Sequence, residues 1–170
     1  VYLDEKLESQ PALATSWRNI DDTTWEFVLR RGVRFHDGST FDADDVIATL
    51  TRVPAVPNSP ASFGTFTRSI VETVKVDSHT LRFRTNGPNP TLPQELARVF
   101  VIAKAQAAAT TADFNSGRAV NGTGPYRLVE WVNGERLVAR RNDEYWGPRA
   151  AWGRVTERVI ASDAARMAAL

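Results

Sequence analysis

Residues 24–46 read TWEFVLRRGVRFHDGSTFDADDV, and they hold a strand, a turn and a helix start in one unit. Trp25, Phe27 and Leu29 alternate with Glu26, Val28 and Arg30, the two-residue period of a half-buried strand, and Val33 and Phe35 resume it after Gly32. The pattern predicts a bulged or kinked strand from Trp25 to Phe35. His36-Asp37-Gly38-Ser39 carries turn chemistry: an Asp side chain bonds the backbone two residues on, and glycine takes positive φ without a Cβ clash. Asp42 then stands as an N-cap with Asp45 at N3, where carboxylates meet unpaired N–H groups and the positive end of the helix dipole. Val46, Ile47 and Leu50 begin an apolar face, so a helix is expected from Asp42 to Arg52, stopped by Pro54 and Pro57.

Outward from this block, Leu13 to Trp17 reads as a strand that pairs with Trp25 to Phe35 through a turn at Asn19-Ile20-Asp21-Asp22. Val71 to Val76 and Thr80 to Thr85 alternate around Asp77-Ser78-His79, a second hairpin. Asn86-Gly87-Pro88-Asn89-Pro90 breaks the chain before a short helix from Thr91 to Ala97. Phe100 to Ala103 reads as a buried strand, and Lys104 to Thr111 is alanine-rich and helix-competent. Tyr126 to Val132 and Arg136 to Arg141 form a third hairpin around Asn133-Gly134, a pair suited to positive φ. Arg154 to Ala161 reads as one more strand before the helical run Asp163 to Leu170. The fold class is therefore mixed α/β (α+β).

Composition narrows the function classes. The 42% hydrophobic and 24% charged content is that of an ordinary globular chain, and no apolar run approaches the ~20 residues of a membrane span. A net charge of +1 gives no overall field for nucleic acid, although Arg outnumbers Lys. The lack of cysteine excludes disulfides and thiolate metal sites and leaves the compartment open.

Chemistry-bearing patterns are few. His36 beside Asp37 has the residue types of a base or a ligand, yet no H-E-x-x-H and no clustered carboxylate spacing completes a metal site. No G-x-S-x-G elbow is present, and Gly122-Thr123-Gly124-Pro125 lacks the Lys-Ser/Thr end of a phosphate loop. These residues read as structural turns, and no catalytic residue, metal or cofactor is assigned. Trp17, Trp25, Phe27 and Trp131 read as core, and Trp146 as structural. The loop Ser59 to Phe66 mixes small and aromatic residues on a connection, where scaffolds place ligand contacts. Ser62, Phe63 and Phe66 are therefore candidate ligand contacts, with core packing of the two phenylalanines as the alternative. Arg98 is a further candidate because a guanidinium clamps carboxylates at two points, with a surface salt bridge as its alternative.

Four segments together carry a family resemblance. Residues 25–46 fit W-x-F-x-L-R-x-G-V-x-F-H-D-G-x-x-F-x-A-x-D-V, and Pro11-Ala12-Leu13-Ala14-Thr15-Ser16-Trp17 fits P-x-L-A-x-S-W. Asn121-Gly122-Thr123-Gly124-Pro125-Tyr126 and Arg141-Asn142-Asp143-Glu144-Tyr145-Trp146-Gly147 follow in the same order. The set resembles the extracellular solute-binding proteins of family 5, the peptide and nickel class that serves ABC importers.

The resemblance implies a type II periplasmic-binding-protein fold in which two lobes close on a solute. Residues 1–119 would be the small extra subdomain of the first lobe and 120–170 part of its central sheet, with the second lobe beyond this fragment. It further implies a non-enzyme, periplasmic or extracellular, lipid-anchored in some relatives, that hands its peptide or small-molecule ligand to ABC permease membrane subunits. In relatives the loop corresponding to 59–66 can reach the ligand cleft. The alternatives are the sensor domain of a transcriptional regulator or signalling receptor, and a hydrolase using His36 and Asp37. A sheet cut from its neighbours leaves an unpaired edge, so self-association of the fragment is expected.

Overall fold

The computed structural model describes residues 1–57, 59 and 62–169. They fall into two compact units, one of residues 1–33 and 39–107, the other of 34–38 with the chain from Ala108 onward. The turn that carries His36 falls in the second unit.

In the first unit, β1 (Tyr2–Leu3) and β2 (Ser9–Gln10) form a small hairpin. The main sheet is antiparallel, built from β3 (Ala14–Asp21), β4 (Thr24–Leu29), β5 (Ile70–Asp77) and β6 (Thr80–Thr85) in the order β3-β4-β6-β5. The alternation of β4 is realised: Trp25, Phe27 and Leu29 are buried with Leu81 and Phe83 of β6. Phe27 sits at the centre of this layer, stacked on Trp17 at 6.2 Å and edge-on to Phe83 at 5.3 Å. Trp17 itself is half-buried. The opposite face pairs charges across the strands. Glu26 stands directly between Arg18 and Arg82, accepting from Arg18 Nη2 at 2.7 Å and Arg82 Nε at 2.9 Å. Arg18 first, and then Arg82, hold its carboxyl below the usual carboxylate range.

The strand does not run on to Phe35. It ends at Leu29, and Gly32, at φ 73°, turns the chain in the left-handed region that a side chain resists. Val33 and Phe35 are buried without being ladder residues. Helix α1 (Ala43–Arg52) starts as expected, with a reciprocal cap: Asp42 accepts from Asp44 N at 2.8 Å and Asp45 accepts from Asp42 N at 2.8 Å.

Residues 100–103 are not a strand, and Phe100 is 82% exposed. Part of the backbone here is engaged by the buried side of α1 instead. Ile102 N donates to Thr49 Oγ1 at 3.0 Å and, just beyond the stretch, Lys104 N to Asp45 Oδ1 at 2.8 Å, bonds that take the place of ladder partners at these two residues. The stretch from Lys104 to Thr111 is not one helix either. A 3-10 turn covers Lys104–Gln106, and Thr110 caps α3 (Thr111–Asn115), accepting from Asp113 N and so restarting the helix. Helix α2 (Leu92–Leu96) forms where the breaker ends.

The second unit holds an antiparallel sheet of β7 (Tyr126–Val132), β8 (Arg136–Arg141) and β9 (Arg154–Arg158), in that order, followed by α4 (Asp163–Ala168). Gly134 takes φ 75° in the β7–β8 turn, the conformation that Asn-Gly favours. Trp131 is 40% exposed on β7, not core, because the face it shares with Leu137 is only partly covered. All five residues of β9 are exposed. No described helix is long and apolar enough to cross a membrane.

Candidate functional site

The four candidate residues lie in the first unit and form one patch. Ser62 opens the 3-10 turn Phe63–Phe66 by accepting from Gly64 N at 3.1 Å, which fixes the start of the turn. Asn58, Pro60 and Ala61 of the same loop lie outside the described residues. Phe63 is exposed and Phe66 half-buried, with ring centroids 6.2 Å apart. Arg98 lies just beyond α2 and brings its guanidinium carbon to 5.9 Å from the Phe66 centroid, within cation–π range.

Arg98 is exposed and has no ion pair among the described residues. The nearest acid in sequence, Glu95, is engaged by Asn89 Nδ2 at 3.0 Å and Ser69 Oγ at 3.4 Å. The patch therefore offers an aromatic surface beside an uncompensated guanidinium, which suits an apolar group next to a carboxylate or similar anion. Phe100, two residues past Arg98, is exposed although its apolar neighbours suit a buried strand. Nothing local in the sequence distinguishes this exposed aromatic from a core residue.

The second concentration of polar groups is a knot in the second unit. His36 N donates to Gly122 O at 2.8 Å, and His36 Nε2 lies 3.0 Å from Gly124 O. A carbonyl only accepts, so Nε2 carries the proton. Buried Asn142 donates Nδ2 to the same carbonyl at 3.1 Å and accepts on Oδ1 from Arg127 Nε and Nη2 at 3.0 and 2.7 Å. Arg127 also reaches His36 O at 2.9 Å and Glu144 at 2.6 Å, and Trp146 Nε1 donates to Thr123 O at 3.1 Å. Asn121 joins Asp37 through its side-chain amide. Three of the four motifs thus interlock, and His36 and Asp37 are engaged as turn anchors. Among the described residues no three His, Asp or Glu side chains converge as a metal site would require.

Burial, and after it Arg127, pulls the His36 pKa below its ordinary value, against the opposing effects of the Gly124 contact and Asp37. The neutral ring is therefore the folded form. Above the unfolded pKa near 6.5 its contribution to stability is complete, and it is lost as pH falls from there toward the folded pKa, because the unfolded chain takes the proton first. Urea denaturation should show falling stability between pH 6.5 and the onset of carboxylate protonation near 4.5, and His36→Gln, which keeps an N–H donor, should flatten that slope. An identical slope in the variant contradicts the assignment.

The fold is that of part of a type II periplasmic-binding protein. NikA from Brucella suis in complex with Fe(III)-EDTA superposes with a TM-score of 0.84 and 32% identity, covering 99% of this chain and 34% of that one. Residues 8–170 match the model of bacterial extracellular solute-binding proteins, family 5 middle, and the chain belongs to that family. A dipeptide-binding protein of Pseudomonas aeruginosa is 32% identical over 81% of this chain and 30% of its own length. The HTH-type transcriptional regulator SgrR of Pectobacterium atrosepticum is 30% identical over 86% of this chain and 25% of its own. The chain thus spans about a third or less of the relatives it matches.

Proposed function

We propose that this chain is part of the first lobe of the solute-binding component of a bacterial ABC importer. Residues 1–119 form the lobe's small subdomain and 120–170 contribute to its central sheet. A second lobe closes on a peptide or related small solute, and the closed form is recognised by the permease subunits in the membrane. The protein works in the periplasm or at the cell surface and catalyses nothing. Its 170 residues alone expose the β9 edge and self-associate at high concentration.

The observation that carries the reading is the convergence of Ser62, Phe63, Phe66 and Arg98 on one exposed patch in a chain of this family. In the closed protein Arg98 meets an anionic group of the solute and the phenylalanines its apolar part. Calorimetry on the complete polypeptide tests it: Phe63→Ala and Arg98→Ala each weaken the solute about tenfold or more, roughly 1.4 kcal/mol, without lowering the melting temperature. Unchanged affinity in both variants removes these residues from the cleft. The regulator SgrR supports a second reading, a ligand-sensing domain in a transcription factor. A helix-turn-helix segment in the same polypeptide distinguishes it.

A further inference from the structure

One face of the second unit's sheet sets arginines opposite one another. Arg140 stands between Arg127 on β7 and Arg154 on β9, and Arg136 lies across from Arg158. Directly opposed residues share a face, and like charges so placed destabilise a ladder. Two of the five are neutralised: Arg127 bonds Glu144, and Arg136 bonds Glu130 and Glu135. Arg140, Arg154 and Arg158 are exposed and have no ion pair among the described residues. Arg154 acts on Glu130 only through space. Glu157 stands opposite Leu137, one residue out of phase with the arginines, and so lies on the other face.

No acid of this sheet pairs with these three guanidiniums among the described residues, which leaves them open to an anion from outside it. Along β9 the two arginines are about 13 Å apart, and Arg140 is about 5 Å away on the next strand. Such a planar array of forked donors fits a flat lattice of phosphates and needs no fixed register. Trp152, two residues before Arg154, is 72% exposed, and indoles are enriched at the headgroup level of bilayers. We propose that Arg140, Arg154 and Arg158, with Trp152 just before β9 in sequence, form a contact surface for anionic phospholipid headgroups. The surface is independent of the solute patch and holds the protein near the membrane.

Co-sedimentation with vesicles of phosphatidylglycerol and phosphatidylcholine in equal parts, against phosphatidylcholine alone, tests this in the 170-residue chain and in the complete polypeptide. Both bind the anionic vesicles, binding falls with salt, and Arg140→Gln/Arg154→Gln/Arg158→Gln lowers partitioning about a hundredfold, at about fivefold per arginine. The triple variant keeps or raises the melting temperature, since it removes like-charge opposition. The proposal is overturned by absent binding, by equal binding to neutral vesicles, or by a variant that partitions like the parent. It is also overturned if the complete polypeptide fails to bind where the 170-residue chain binds, because the rest of the protein then covers the arginines. Binding to an acidic peptide in place of vesicles overturns it in favour of a protein partner.

Discussion

Asn142→Ala lowers stability by about 3 kcal/mol, and the melting temperature by about 6–12 °C. The side chain is buried, donates to Gly124 O and accepts three N–H groups, two from Arg127 and one from Glu144 N at 3.2 Å. Truncation leaves Arg127 without the acceptor that orients it, and a partly unpaired guanidinium is then held in a largely buried site. Asn142→Asp separates donor from acceptor. It keeps the acceptor and strengthens it toward Arg127, but turns an oxygen toward the Gly124 carbonyl, so its loss is smaller than that of Asn142→Ala. Chemical denaturation of the three proteins checks the order. Equal stability of Asn142→Ala and the parent would show that the knot positions turns without stabilising them.

The second large effect concerns affinity. Residues 1–170 alone bind the solute at least about a hundredfold more weakly than the complete polypeptide, a loss of roughly 3 kcal/mol. Small-molecule sites enclose most of their ligand, whereas the Phe63–Phe66–Arg98 patch is one exposed wall. Closure is a population shift, and a ligand drives it only through contacts made with both lobes engaged. Without the second wall the aromatic contacts stay wet and the guanidinium keeps its water. Calorimetry on both proteins with the same solute reads the ratio directly.

Legibility in the sequence followed the range of the interactions. The β4 alternation, the Asp42–Asp45 cap and the Asn133-Gly134 turn depend on residues within a few positions of one another, and each formed as expected. The strand beyond Gly32 failed because one left-handed glycine breaks a pattern that Val33 and Phe35 continue only in hydrophobicity. Residues 100–103 form no strand, and Thr49 and Asp45, more than fifty positions earlier, take the N–H groups of Ile102 and Lys104 that a neighbouring strand would otherwise pair. The candidate patch was readable as residue types on a loop and at a helix end. That Arg98 would lie over Phe66, and that Phe100 would stand exposed beside it in sequence, is set by the fold. His36 and Asp37 carried the residue types of a catalytic pair, and only the placement of Gly122, Gly124 and Asn121 gave them their structural partners.

The most direct test of the account is a thermal-shift screen of the complete polypeptide against peptides, nickel chelates, opines and oligosaccharides, with residues 1–170 run alongside. The account predicts that one solute class raises the melting temperature of the complete polypeptide and leaves that of residues 1–170 unchanged. Equal stabilisation of both would place the whole site within these 170 residues and contradict binding between two lobes.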